Sequence, residues 1–262
     1  MGSPRYTTQL AAGLGMIPET IELLRIWDPK FTASSFVDFA VSEGVFSSAT
    51  ARRSRNIVAE MFAPRFMAEG GDVAKRLQFL LANQFPVDGF AQLFFLQAAR
   101  AQRMLADFVI EVYWPRYSAG ARNLNWTDAF DFISRALDNG LMEKRWSEST
   151  IKKNSGYLVS VCADFGLLDE GRGKTRLIRH YSLRSDVLLY LLHDLRFSGL
   201  GDMSIMQHRD WALFGLEPGD VMKLVLSLSH DGHLVAQSSG SVIQISWKYK
   251  TMEDCLDALV KR

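Results

Sequence analysis

The chain has 262 residues, 48% of them hydrophobic, with 30 Lys and Arg against 29 Asp and Glu and a formal net charge of +1. That length is enough for roughly two or three compact units with a substantial core, and the near-neutral total excludes a protein that grips nucleic acid by overall charge, so any affinity for phosphate must come from local patches. Two cysteines, Cys162 and Cys255, exclude a disulfide framework and sit at apolar helical positions, which points to a reducing cytoplasm.

The first twenty residues carry one Arg and a short Ala/Leu/Gly patch, too short and broken for a membrane-spanning helix. Pro18 and Glu19 open a helix carrying Ile21, Leu24 and Trp27 and stopping at Asp28-Pro29. A second helix is expected from Ser34 or Ser35 through Val41, broken at Glu43-Gly44. A third, capped by Ser47 or Ser48, runs to about Phe62. On it Arg52 and Arg55 share the outward side, while Arg53 lies nearer the core stripe. Two further helices, Asp72 to Gln84 and Asp88 to Trp114, complete an all-α domain over residues 1–119. The long apolar run from Phe90 to Trp114 is interrupted by Gln92, Gln97, Arg100, Gln102, Arg103, Asp107 and Glu111, so it reads as a buried amphipathic helix without membrane insertion.

Pro115 to Asn125 reads as a linker, and a winged-helix domain is expected over residues 126–197. Its first helix starts near Thr127-Asp128 and packs through Phe130, Ile133 and Leu137. Its second, capped by Ser147 or Ser149, carries a buried stripe of Ile151, Leu158, Cys162 and Phe165 and turns Lys152, Lys153, Gly156 and Ser160 to the opposite side. Gly166 ends that helix. Leu167 to Asp169 and Thr175 to Leu183 then flank the turn Gly171-Arg172-Gly173-Lys174 as a hairpin. Between Lys144 and Arg184 there are nine basic and four acidic residues, a net +5 inside a chain of +1. Such a concentration is the electrostatic footprint expected of phosphate contact, with Lys152, Lys153, Arg172, Lys174, Arg176 and Arg179 as its candidates and Arg52 and Arg55 as a weaker outlying pair.

Ser198 to Asp202 forms another junction, and residues 203–262 repeat the helix, helix, hairpin order as a second winged-helix-like or α+β unit. Helices are expected over Ser204 to Phe214 and Pro218 to Ser229, then a hairpin around Ser238-Ser239-Gly240 and a last helix from Met252. Val221, Leu224, Val225 and Leu228 form a buried stripe, and Ile243, Ile245 and Trp247 alternate along a strand. Only Lys223 offers positive charge on the second recognition-like helix, so a structural or protein-binding role fits better there. The fold class expected is mainly α with small β-hairpins, a helical N-terminal bundle followed by one or two winged-helix-like units.

Catalytic motifs are not apparent. Gly171-Arg172-Gly173-Lys174-Thr175 lacks the first glycine of a phosphate loop, where Leu168 stands, and a helix leads into a hairpin rather than a strand into a helix. His230-Asp231-Gly232-His233 reads as a turn and not a metal set, and no G-x-S-x-G elbow occurs. The expectation is a non-enzyme with no cofactor and no metal.

Taken in order, Tyr6-Thr7-Thr8, Gly13-Leu14, Pro18-Glu19, Ser48-Ala49-Thr50-Ala51-Arg52-Arg53, Trp146-Ser147-Glu148-Ser149-Thr150, Lys152-Lys153 and Phe165-Gly166-Leu167-Leu168 resemble the BrxA family of bacteriophage-exclusion (BREX) defence systems, from Tyr6 to about Leu195. The segment after Gly199 departs from that pattern. The resemblance implies a non-enzymatic bacterial protein, helical at its N-terminus like the antitermination factor NusB and winged-helical afterwards. It also implies association with double-stranded DNA in the cytoplasm, beside the methyltransferase, ATPase and phosphatase-like components of such a system. Two rival readings are a protein-interaction scaffold for other BREX components and RNA binding through the N-terminal helices around Arg52, Arg53 and Arg55.

Overall fold

A computed structural model describes residues 6–12, 14–46, 49–142, 144–171, 173–239 and 242–261. The chain is mainly helical with two small antiparallel strand pairs, as its sequence implies. It gathers into two compact units, Met1–Gln78 with Phe94–Tyr181, and Phe79–Leu93 with Ser182–Arg262. These divide the chain differently from the boundaries expected after residues 119 and 197.

In the first unit α1 (Ile17–Ile26), α2 (Ala33–Ser42) and α3 (Ala51–Asn56) follow one another. Threonines start the second and third. Thr32 Oγ1 accepts from the Ser35 amide at 3.1 Å, and Thr50 Oγ1 from the Arg53 amide at 3.2 Å. The expected caps at Ser34 or Ser35 therefore shift to Thr32, and Ser47 and Ser48 lie outside the described residues. After α3 the helix widens into π turns over Ile57–Met67, past Phe62, where its end was expected. Pro64 lies inside that stretch; a wider turn relieves the clash and missing donor that proline brings to an α-helix. Its buried side feeds an aromatic chain, Phe36 to Phe62 to Phe66 to Phe94, with ring centroids 5.1 to 5.6 Å apart.

α4 (Asp72–Ala82) and α5 (Val87–Ala101) come next. The single helix expected over Asp88 to Trp114 breaks at Gln102, whose backbone is extended, giving α6 (Arg103–Phe108), a π-helical Val109–Tyr113 and α7 (Trp114–Ser118). Buried Gln102 makes the break tolerable, because its N–H still donates to Ala98 and its carbonyl accepts from Leu105 and Ala106. Strand β1 (Asn123–Asn125) occupies the end of the expected linker, followed by α8 (Trp126–Asp138), α9 (Glu148–Asp164) and β2 (Thr175–Leu177).

The N-terminal segment ties the helical part to the region after β1. Tyr6 donates its N–H to Leu141 O at 2.8 Å and its hydroxyl to buried Asp107 at 2.7 Å, where Arg103 Nε also pairs at 3.0 Å. Gly15 N–H donates to Asp164 Oδ2 at 2.9 Å, and buried Arg65 donates to Leu14 O at 3.0 Å, its pKa lowered to about 10 by burial. These links explain why residues before 119 and after 126 share one unit.

The second unit contains α10 (Ser185–Phe197), α11 (Asp202–Met206), a short 3-10 turn Arg209–Phe214, α12 (Pro218–His230), the hairpin β3 (Leu234–Ser239) with β4 (Val242–Trp247), and α13 (Met252–Val260). The helix expected over Ser204 to Phe214 is thus two pieces, parted at Gln207-His208. Gln92 fixes the entry to α10, donating to Ser182 O at 2.8 Å and accepting from Arg184 N–H at 3.0 Å. Val221, Val225 and Leu228 are buried on α12 as expected, with Leu224 half-buried at the edge of the stripe. Asp231-Gly232 makes the expected turn, and His233 Nδ1 lies 2.9 Å from the Tyr249 hydroxyl. No helix among the described residues is long and apolar enough to cross a membrane.

Candidate nucleic-acid interface

The basic segment folds as strand, helix, helix, hairpin. β2 pairs antiparallel with β1, Asn123 opposite Leu177 and Asn125 opposite Thr175. On its other side Asp169 N–H donates to Leu177 O at 2.9 Å and Arg179 N–H to Leu167 O at 3.0 Å, which closes a hairpin over residues 167–179. Tyr113 holds its base: the hydroxyl lies 3.2 Å from Leu167 O and 3.4 Å from Arg179 O, and burial pushes the phenol's pKa up, so it stays a donor. The strand expected from Thr175 to Leu183 ends near Ile178, because past Arg179 no ladder partner continues beside it among the described residues. Gly166 ends α9 in a left-handed conformation, φ 80°, as its position implied.

α8 buries Ala129, Phe132, Ile133 and Ala136, a closer i, i+3, i+4 stripe than the expected Phe130, Ile133 and Leu137, of which only Ile133 is fully enclosed. α9 is capped by Ser147, whose Oγ accepts from Thr150 N–H at 3.3 Å. From Leu158 onward it is buried on most sides, through Leu158, Val159, Val161, Cys162 and Ala163, and the Cys162 thiol's pKa is pushed up by burial. The face around Gly156 and Ser160 is half-buried. Only the first two turns stand free, bearing Ser149, Lys152 and Lys153.

One residue joins these free turns to the hairpin. Trp126, first residue of α8, donates its backbone N–H to Lys174 O at 2.7 Å and its indole N–H to Lys152 O at 3.3 Å. Thr175 Oγ1 adds a 2.8 Å bond to Asn125 Oδ1, and Asn125 N–H donates to Asp128 at 2.7 Å, which in turn pairs with Arg116. Lys152 and Lys174, 22 positions apart, therefore flank one half-buried tryptophan. No sequence rule singles Trp126 out; its only signal is its place at the start of an expected helix.

The remaining candidates divide. Lys153 and Lys174 are exposed. Lys152 is exposed but paired with Glu148 at 2.5 Å, and hydrogen bonding from that lysine lowers the Glu148 pKa. Arg176 stands opposite buried Leu124 and is itself half-buried, with Nη1 donating to Asp169 O at 3.3 Å and no hydrogen-bond partner for its buried Nε among the described residues. Its neighbours Thr175 and Leu177 take the outer face, as strand alternation requires, so Arg176 belongs to the hairpin's interior side. Arg179 is exposed, 3.6 Å from Asp169. Arg172 lies outside the described residues. Arg52 and Arg55 are exposed on α3, which packs on α2 and the π-helical stretch rather than on α8, α9 or β2. Arg53 Nη2 is 3.8 Å from Met16 Sδ.

Among the described residues no three His, Cys, Asp or Glu side chains gather as metal ligands. What this surface offers is exposed cations and hydroxyls beside the Trp126 indole.

No curated protein matches the chain. Its fold is similar to the crystal structure of an uncharacterized protein from Magnetospirillum magneticum, with a TM-score of 0.60 and 15% identity over 80% of this chain and 98% of that one, a likeness of fold alone. The BrxA family model matches residues 4–194, so the chain belongs to the BrxA family and, through it, to the BREX systems of phage defence.

Proposed function

We propose that the protein is a non-enzymatic, duplex-DNA-binding accessory of a BREX system, acting in the cytoplasm through a winged-helix arrangement of β1, α8, α9 and the 167–179 hairpin. The observation that carries this reading is the Trp126 bridge, which sets Lys152 and Lys153 on a helix and Lys174 at the root of a wing beside one another. The order strand, helix, helix, strand, wing, strand is that of winged helices, in which the second helix meets a groove and the wing meets backbone. Contacts of this type are with phosphate, so affinity should fall steeply with salt and depend little on sequence. Anisotropy titration of a labelled duplex at two salt concentrations, with the Lys152→Glu, Lys153→Glu, Lys174→Glu variant alongside, tests it. Salt-sensitive binding lost in the variant supports the reading; equal affinity in both proteins rejects it.

A second reading, docking to other BREX components, draws on the β3–β4 hairpin. Its described outward side chains are Val235, 54% exposed, with Gln237, Gln244 and Ser246, none of them charged. A surface without cations cannot neutralise phosphates but suits a protein partner. Pull-down from a host carrying the neighbouring BREX genes, with Val235→Glu as the losing variant, separates the two readings. Competition with structured RNA addresses the exposed Arg52 and Arg55.

A further inference from the structure

We infer that the DNA surface extends to a second phosphate-binding position that sequence reasoning did not single out, a cavity beside the start of α9 that takes a backbone phosphate of the duplex. This rests on the DNA-binding reading above. The cavity, about 480 Å³, is lined by Lys144 and Arg145 from the α8–α9 connection, Thr7 and Thr8 from the N-terminal segment, and Ser147 and Thr150. Both cations are exposed, and neither forms an ion pair among the described residues. No described lining residue is acidic, and Glu148, on the first turn of α9, is turned to Lys152. The first turn of α9 is not what defines the place, since Ser147 already accepts from the Thr150 amide.

The cavity's walls are also fixed. Trp146 beneath the cations is buried, and Tyr6, next to Thr7, is anchored at both ends by Leu141 O and Asp107. An ammonium, a guanidinium and the Thr8 hydroxyl thus line one cavity whose described residues hold no carboxylate, and a phosphate offers only acceptors to such a set. Position along the helix supports the same strand of DNA. Ser147 and Lys152 are five residues apart, about 7.5 Å at 1.5 Å per residue, or roughly two base-pair rises of 3.4 Å along the duplex axis. Because α9 is enclosed beyond Leu158, the free basic surface can grow only toward its N-terminal end, where Lys144 and Arg145 stand.

The test is a salt titration of duplex binding by Lys144→Ala/Arg145→Ala, with Lys30→Ala/Lys75→Ala as a control that removes the same charge elsewhere in the unit. Both altered pairs are exposed, so folding is retained, and circular dichroism checks it. The expected result is a salt slope shallower by about 0.9, the share of one phosphate, and affinity about tenfold weaker at low salt, with the control unchanged. If wild-type protein binds but the Lys144/Arg145 variant keeps its slope, or if the control falls as far, the cavity is not a phosphate site while the DNA reading stands. Wild-type protein that binds no duplex at low salt overturns both.

Discussion

The segment from β1 to β2 and the segment from α11 to β4 follow a similar order, helices leading into an antiparallel hairpin, yet they present opposite surfaces. In the first, β2 is three residues long and is held from outside, by Tyr113 at the base and Trp126 at the root, while lysines project around it. In the second, the strands are six residues long and one outward N–H on each edge is taken by a side chain. Ala236 N–H donates to Ser229 Oγ at 3.2 Å, and Ile245 N–H donates to Asp202 Oδ2 at 2.8 Å. An uncharged outer face cannot neutralise phosphate. The order of elements therefore sets the scaffold, and charge placement sets what each hairpin can meet.

The sharpest way to break that comparison is charge reversal on the first hairpin alone. Lys152→Glu/Lys153→Glu/Lys174→Glu should weaken duplex binding by at least 100-fold at low salt, about 3 kcal/mol or more, since three phosphate contacts become repulsions. Lys223→Glu, the matching change on α12, should leave binding unaltered in the same titration. A comparable loss from Lys223→Glu would mean that the second hairpin binds DNA too.

Next in size is a pH effect confined to the second unit. His193 is fully buried, its Nδ1 on Leu189 O at 2.9 Å and its ring against Trp247 and Tyr249, and burial lowers its pKa to about 4. Above the ordinary histidine pKa of about 6.5 the ring is neutral in folded and unfolded chains alike, so it adds no pH dependence. As pH falls from there toward 4 the unfolded chain takes up a proton that the folded one refuses, and stability drops, on the order of 3 kcal/mol in all, then levels. Urea denaturation followed by tryptophan fluorescence from pH 7 to 4 should show this fall in wild type and a smaller one in His193→Gln. Equal pH dependence in the two proteins would remove His193 as its source.

Asp202 comes third. Its carboxylate accepts from Ile245 N–H at 2.8 Å and Trp247 Nε1 at 3.1 Å, so Asp202→Ala leaves two part-buried donors without it and should cost about 2 kcal/mol. Duplex affinity should not change. Reduced affinity in Asp202→Ala would show that the two hairpins are coupled in binding.

Much of the fold was legible because it follows from periodicity and punctuation. Gly166 ends α9, Ser147 caps it, and Ile243 and Ile245 are buried by strict alternation. What could not be read depends on tertiary partners. Gln102 breaks a helix without glycine or proline because its buried amide finds partners, and Ile57–Met67 widens because a proline sits among buried aromatics. At the candidate interface, charge count located the right segment but not its geometry. Arg176 counted as a cation, yet pairing opposite Leu124 turns it inward, whereas Trp126, which no motif marks, joins the two lysines. Side-chain direction in a three-residue strand depends on register, and register came from pairing with β1, a segment whose sequence suggested only a linker.

The smallest effect tests whether the paired lysine is held in reserve. Glu148 sits one helical turn before Lys152 and binds it at 2.5 Å, with both side chains more than half exposed. A surface pair of this kind contributes little to stability, so Glu148→Gln should leave the urea midpoint where it is. On a DNA-facing turn the same carboxylate acts twice against binding: it repels phosphate and it competes for the Lys152 ammonium. Glu148→Gln should therefore tighten duplex binding about threefold and steepen the salt dependence by less than one unit, with a larger gain at low salt than at high. Unchanged affinity in Glu148→Gln, with wild-type binding intact, would mean that the first turn of α9 points away from the duplex, and the wing with Lys174 would then have to carry the contact without it.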